Sequence, residues 1–399
     1  MYFQALDDKT NCIGIYFDGR LIFDDGQFPE NLSGMKTWKY SGSVKDDVEY
    51  AWFYADGKSL EEVCPENLKR EFESNQAKLI AFKKAFDIAK IDFREHCFFD
   101  LVPHDYLRSF LDVKNKITQH VFESYEKPPI YEHLVSVEKL LYKIRYNKLN
   151  VNNKDARNLF VNTNPRIGAQ KILNCSKYID YNIYGTKTGR LTTYPNSFPI
   201  LTMKKELRAL LKPQNDWFIS LDYNGAEVRT VLSLLEHKQP DYDVHEWNME
   251  NTLQHLAPKD RESAKTIFFA WLYNPNSKKI ENSIYDRDTI LDNFYDGEKV
   301  STPFGRQIFV DKDKSLNYII QSTTADLVND RAVQIDKFLN GKKSFVSHIV
   351  HDEVVIDMPD DERYLIPEIK EIFSTNKLAK FKTNLKAGKD YYNLGDLNL

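Results

Sequence analysis

Two acidic segments far apart in the chain, Leu221-Asp222-Tyr223-Asn224-Gly225-Ala226-Glu227-Val228-Arg229 and Val350-His351-Asp352-Glu353-Val354, constrain this protein more than any other feature of its sequence. Each follows an apolar, strand-like run, Trp217 to Leu221 and Phe345 to Val350, so an aspartate stands where a strand gives way to a turn or helix. Two carboxylates at adjacent strand ends make a site for a divalent cation. Hard cations such as magnesium take carboxylate oxygens and keep positions open for water and substrate phosphates. A pair of them can stabilise both the attacking and the leaving oxygen of an in-line displacement. The pattern points to phosphoryl or nucleotidyl transfer.

The 399 residues suffice for two or three packed units, and a hydrophobic content of 42% argues against a disordered chain. A net charge of -4 excludes a uniformly basic nucleic-acid binder. It leaves room for local patches, and Lys143/Arg145/Lys148, Lys204/Lys205/Arg208, Lys312/Lys314 and Lys377/Lys380/Lys382/Lys386/Lys389 are such clusters, each by itself no more than a solvated face. Cys12, Cys64, Cys97 and Cys175 lack the paired spacing of zinc or redox sites, which fits a reduced, cytoplasmic setting. No apolar run approaches the roughly 18 residues of a membrane span. The N-terminal Met1-Tyr2-Phe3-Gln4 lacks signal-peptide order, so no membrane partner is expected.

Along the first part of the chain, Ile13 to Phe17 and Arg20 to Phe23 read as strands joined through Asp18-Gly19, a strong hairpin signal. Tyr50 to Tyr54 reads as another strand, followed by Asp56-Gly57. Apolar spacing from Glu66 to Lys90 predicts a pair of helices, and further helices are predicted over Tyr106 to Phe122 and His133 to Tyr146. An Asn-rich stretch, Asn150 to Asn164, breaks the pattern. Asp47-Val48-Glu49 has the Asp-x-Glu spacing of an exonuclease metal site, but no further aspartates follow in a strand or helix context, so it reads as an acidic turn ahead of a strand.

A third element sits between the two acidic segments. On a helix, Arg261, Lys265, Phe269 and Tyr273 lie four apart on one slowly drifting face, two cations followed by two aromatics. Such a face can grip the phosphates of a triphosphate and pack against sugar and base. By itself it is equally an amphipathic core helix with snorkelling cations.

The ordered set Thr188-Gly189-Arg190-Leu191, Asp222-Tyr223 through Glu227-Val228-Arg229, Arg261 through Lys265 and Phe269 to Tyr273, Asn317 to Gln321, and His351-Asp352-Glu353 resembles the family A DNA polymerases, the DNA polymerase I and phage replicase family. The resemblance covers residues 186–399 well. It implies an α+β right-hand fold: an antiparallel palm sheet (residues 186–240 and 305–399), helical fingers (241–304) and a helical thumb (111–185), preceded by residues 1–110, which read from their own pattern as a small mixed α/β domain, a degenerate exonuclease or an accessory module. Compactness hints at a phage-like origin.

The resemblance also implies roles, residue by residue. Asp222 and Asp352, with the backbone carbonyl of Tyr223, correspond to the ligands of two Mg2+ ions, with Mn2+ able to substitute. Glu353 stands beside the metals as a catalytic carboxylate, and His351 near the primer end. Glu227 resembles the steric gate against a 2′-hydroxyl. Arg261, Lys265 and His245, the last in Asp243-Val244-His245, bind the incoming deoxynucleoside triphosphate, with Phe269 under the sugar and Tyr273 at the templating position. Lys265 is also a proton donor to pyrophosphate. Arg190, Arg208, Asn317 and Gln321 contact primer-template DNA. A monomer is expected, with room for a processivity or replisome partner and without 3′–5′ proofreading.

This chain departs from the family at Ala270 and Asn274, where glycines are usual, and at Asp313, where a basic residue is expected one turn before Asn317. The segments between motifs are short, which implies trimmed fingers and thumb. Single-subunit RNA polymerases share the metal aspartates but lack carboxylates at the places of Glu227 and Glu353. A catalytically silent scaffold would be expected to lose its metal ligands first, since an unneeded carboxylate cluster is electrostatically costly; here Asp222, Asp352, Arg261 and Lys265 are all present.

Overall fold

The computed structural model describes residues 1–29, 32–44, 47–152, 163–277, 280 and 284–397, residues 163–166 by their backbone alone. Most of the Asn-rich stretch read from Asn150 to Asn164 therefore lies outside the described residues. The chain forms two compact units, Met1–Tyr142 and Lys143–Leu399.

In the first unit, strands β1 (Phe3–Asp8), β2 (Asn11–Phe17) and β3 (Arg20–Ile22) form an antiparallel sheet. The β2–β3 turn is the expected Asp18-Gly19, both at positive φ (48° and 75°), which suits the right-handed twist of a tight hairpin. Strands β4 (Met35–Thr37) and β5 (Val48–Tyr50) pair in parallel. The strand expected over Tyr50 to Tyr54 ends at Tyr50, and helix α1 (Ala51–Tyr54) follows it. Ala51, Trp52 and Phe53 are all buried, and such a short apolar run fits a buried helical turn as well as a strand.

The two helices expected between Glu66 and Lys90 are one, α2 (Glu66–Ile88), because no glycine or proline interrupts its 23 residues. Helix α3 (His104–Ser124) packs Tyr106, Leu107 and Leu111 against Leu6 and Tyr16 of the sheet. The domain boundary expected at residue 110 thus falls inside a helix, and the first unit continues into α4 (Tyr131–Tyr146). Glu49 of the Asp47-Val48-Glu49 segment is engaged: it accepts from the Tyr54 hydroxyl at 2.9 Å and pairs with Lys36 at 3.5 Å and Lys127 at 3.6 Å.

The second unit is built on a five-stranded antiparallel sheet. From Trp217 on, its main elements in chain order are β6 (Trp217–Tyr223), α5 (Ala226–Leu234), α6 (Val244–Asn251), α7 (Arg261–Tyr273), α8 (Arg287–Phe294), β7 (Lys299–Ser301), β8 (Gln307–Phe309), α9 (Lys312–Phe338), β9 (Phe345–Val350), β10 (Glu353–Met358), α10 (Ile366–Ser374), β11 (Thr383–Gly388) and β12 (Gly395–Asp396). The spatial order of the sheet is β9-β10-β6-β11-β12. Central β6 buries Phe218 to Leu221 in unbroken succession, as a strand covered on both faces must. The helical part has its own core, where Phe268, Trp271 and Leu272 of α7 meet Val228, Leu232, Tyr285, Ile319 and Ile320. The chain is thus a mixed α/β protein, and among the described residues no helix is long and apolar enough to cross a membrane.

Candidate active site

Asp222 is the penultimate residue of β6, and Asp352 lies in the two-residue turn between β9 and β10. Register places them side by side, because Asp222 pairs with Glu353 across the β6–β10 ladder. The turn holds His351 at φ 58°, the left-handed region that a non-glycine residue occupies only at a cost. After β6 the chain reverses through Gly225 at φ 69°, where an added Cβ would meet Val244 Cγ1 at 2.4 Å; glycine is required on both counts.

A cavity of about 500 Å³ opens on this edge. It is lined by Asp222, Tyr223, Glu227, His351 and Asp352 from the sheet side, by His245, Arg261, Lys265, Phe269 and Tyr273 from α6 and α7, and by Arg190. The i, i+4 face expected of α7 therefore points at the two aspartates, while Ala264, Phe268, Trp271 and Leu272 turn into the core. Asp260 caps the helix by accepting from the Ser263 N–H at 2.8 Å, which fixes where the face begins. Tyr223 buries its phenol, donating to the Phe373 carbonyl at 2.6 Å and stacking on that ring at 4.3 Å, so its backbone faces the cavity.

The electrostatics divide the cavity into two ends. At the sheet end, burial and the Asp352 charge push the Asp222 carboxyl well above its ordinary range. The Asn384 amide, at 3.2 Å from Asp222 Oδ2, and the Lys386 charge offset part of this. Among the described residues, no three His, Cys, Asp or Glu side chains form a closed metal cage. Two neighbouring carboxylates with a backbone carbonyl nearby suit a magnesium ion, which takes few protein ligands and keeps its waters.

At the helix end, the Arg261 Nε donates to Asp243 Oδ2 at 2.9 Å, and Asp243 caps α6 through the His245 and Glu246 N–H groups. Although burial opposes it, these bonds and one from Asn224 hold the Asp243 carboxyl at about 2. His245 is buried, and burial together with the Arg261 charge brings it down to about 4, so it is neutral near pH 7. Its Nδ1 has no partner among the described residues. Lys265 makes no ion pair or hydrogen bond among the described residues, leaving its ammonium available to an anion in the cavity.

Glu227 is buried, and burial raises its carboxyl, opposed by Arg190 and Tyr273. Arg190 donates to Oε1, and the Tyr273 hydroxyl to Oε2 at 3.0 Å. Tyr273 stacks on Phe269 with ring centroids 5.7 Å apart and planes 11° from parallel. Arg190, expected on DNA, is thus bonded to Glu227. The loop bearing it depends on Gly189, whose Cβ would strike the Arg306 guanidinium at 2.5 Å. That guanidinium is clamped to buried Asp326 at 2.7 and 2.8 Å.

Four of the residues singled out by sequence lie outside this cavity. Glu353 and Arg208 line a neighbouring one of about 410 Å³ that shares Asp222, His351, Asp352 and Asn384. Both oxygens of Glu353 are taken by hydroxyls, from Ser220 at 2.5 Å and Tyr391 at 2.6 Å. Arg208 lies 4.7 Å over the Tyr391 ring. Asn317 and Gln321 sit one turn apart on α9, and Gln321 approaches the Tyr273 hydroxyl.

Sequence reasoning missed Asn384 and Lys386, brought to the site only by pairing of β11 with β6. It also left Arg229 without a role. Arg229 is fully buried and donates to the Asn224 carbonyl at 2.7 Å, Asn224 Oδ1 at 3.2 Å, and the carbonyls of Pro240 and Tyr242, each at 2.9 Å. It ties the turn after Asp222 to the loop that delivers Asp243. Arg229→Met strands these acceptors and is expected to lower stability by about 3 kcal/mol. Urea unfolding checks this; a loss below about 1 kcal/mol would show that water replaces the guanidinium.

No family model matches the sequence, and no curated protein matches it. Among solved structures, the POL domain of Pol1 from M. smegmatis, in complex with a DNA primer-template and dNTP, is similar at a TM-score of 0.61, with 98% of this chain and 95% of that chain covered at 12% identity. At that identity the likeness speaks for the fold alone: this chain has the fold of a DNA polymerase domain.

Proposed function

We propose that the protein is a template-directed DNA polymerase that adds deoxynucleotides to a primer 3′-hydroxyl. The observation that carries this reading is the single cavity in which Asp222 and Asp352 face Arg261, Lys265, Phe269 and Tyr273. The sheet then acts as the palm and α6 to α8 as the fingers. The likeness to a polymerase domain bound to primer-template and dNTP supports both substrates.

Asp222, Asp352 and the Tyr223 carbonyl would hold two magnesium ions, which when bound acidify the primer hydroxyl and neutralise the leaving pyrophosphate. Arg261 and Lys265 bind the triphosphate, and their charges strengthen their hold as negative charge moves onto the departing oxygens. Lys265, uncommitted to any carboxylate among the described residues, would give a proton to pyrophosphate. Asp243 holds Arg261 through its Nε and Glu262 holds it through Nη1, each at 2.9 Å, which leaves Nη2 for the triphosphate. Phe269 offers its face to the sugar, and Tyr273 closes the base end. Chelation is expected to abolish extension of a labelled primer, and added Mg2+ or Mn2+ to restore it; extension that survives EDTA would exclude the mechanism.

Glu227 reads as the gate that selects deoxyribose, held in one position by Arg190 and Tyr273. Glu227→Ala should raise the ratio of ribonucleotide to deoxyribonucleotide incorporation by about tenfold or more, the scale on which a filled pocket discriminates. Single-nucleotide kinetics with both sugars decide it, and an unchanged ratio would remove Glu227 from that role. We further propose that the chain lacks 3′–5′ hydrolysis, which Glu49, committed to Lys36, Lys127 and Tyr54, supports.

A further inference from the structure

A groove of about 700 Å³ lies between the β7–β8 hairpin, the start of α9 and the loop ahead of Arg190. Two features in it are unfavourable for an isolated protein. Phe309, the last residue of β8, has 72% of its surface exposed. Lys312 and Lys314 occupy the first turn of α9 on either side of Asp313, where the helix dipole favours the aspartate and disfavours the two cations. Both are exposed, as is Lys187 on the opposite wall, and none of the three makes an ion pair among the described residues. Glu298 and Asp311 share the groove, so it holds three lysines against two carboxylates.

The groove also continues the proposed site. Lys187 is three residues before Arg190, and Tyr318, which lines the groove, is three before Gln321, which approaches Tyr273. Phosphates belong at the Arg261 end of α7 and the base at the Tyr273 end, so a strand pairing with that base runs on from Tyr273 toward the groove. An exposed ring flanked by free ammonium groups matches an unstacked base with its phosphates, and duplex bases already have stacking partners. We infer that the groove binds the unpaired template strand ahead of the primer-template junction, one base stacking on Phe309 and the backbone passing Lys187, Lys312 and Lys314. This rests on the polymerase reading above.

The test is fluorescence anisotropy on two labelled DNA hairpins, one with a short 5′ overhang and one blunt, in EDTA so that no turnover occurs. Phe309→Ala should weaken binding of the overhang hairpin about tenfold, as loss of one base–aromatic stack does, and leave the blunt hairpin unchanged. Phe309→Trp should keep the parent affinity. Replacing Lys312 and Lys314 together by Ala should make the salt dependence of overhang binding shallower. Parent-like binding of both hairpins by Phe309→Ala, or equal loss on both, would overturn the assignment. If the parent binds the overhang hairpin selectively through Phe309 yet never extends it, the polymerase reading fails and the groove stands. If it extends and Phe309→Ala shows no selective loss, the groove alone fails.

Discussion

Asp222→Asn or Asp352→Asn should reduce primer extension by roughly a hundredfold or more while leaving duplex binding largely intact. Charge stabilisation by a bound metal amounts to several kcal/mol, and each 1.36 kcal/mol is a factor of ten in rate. Loss of one carboxylate removes a ligand from a site that has few. Duplex affinity depends instead on phosphate contacts spread over many residues. The structure adds a second reason to expect separation of the two properties at Asp222: burial and the Asp352 charge already disfavour its carboxylate, so an amide there relieves the fold as it disables the site. Extension rates and duplex affinities measured together check this, and activity within a factor of ten of the parent in either variant would remove the two-metal assignment.

Phe269→Tyr should give a large gain in dideoxynucleotide incorporation by an enzyme that otherwise rejects these terminators. A normal substrate's own 3′-hydroxyl can hydrogen-bond within the bound triphosphate, and a dideoxynucleotide has lost that donor. Phe269 lies in the cavity between His245 and Tyr273, its ring 6.5 Å from the first and 5.7 Å from the second, and a phenol there could supply the missing bond. A hydrogen bond to a charged group contributes about 1.5 to 3 kcal/mol, so discrimination should shift at least tenfold. Competition between dideoxy and normal nucleotides on both enzymes measures the ratio. Equal ratios would mean that Phe269 does not lie under the sugar.

Much of the site could be read from local sequence because its chemistry is arranged by local periodicity. Arg261, Lys265, Phe269 and Tyr273 share a face on any α-helix, and the runs before Asp222 and Asp352 are of strand length and rich in β-branched and aromatic residues. Asn384 and Lys386 could not be found this way. Their place opposite Asp222 and Ser220 is set by β6–β11 register across more than a hundred and fifty residues, and nothing in their own neighbourhood marks it. The partners of Arg190 and Arg261 were equally hidden, since Glu227 and Asp243 reach them through tertiary packing. In the first unit, Tyr50 to Tyr54 misled because an unbroken apolar run has no period. The boundary at residue 110 misled because α3 buries one face against the preceding sheet and cannot be divided from it.

The central claim is that this cavity selects a deoxynucleotide by pairing it with a template. Its most direct test is single-nucleotide incorporation by the purified chain with magnesium, on four primer-templates that differ only in the templating base. Each deoxynucleoside triphosphate is offered singly, and ribonucleotides are offered in parallel. The account predicts one-base extension by the complementary deoxynucleotide on each template, with ribonucleotides strongly disfavoured. Extension indifferent to the templating base, a preference for ribonucleotides, or no extension of any primer would contradict it.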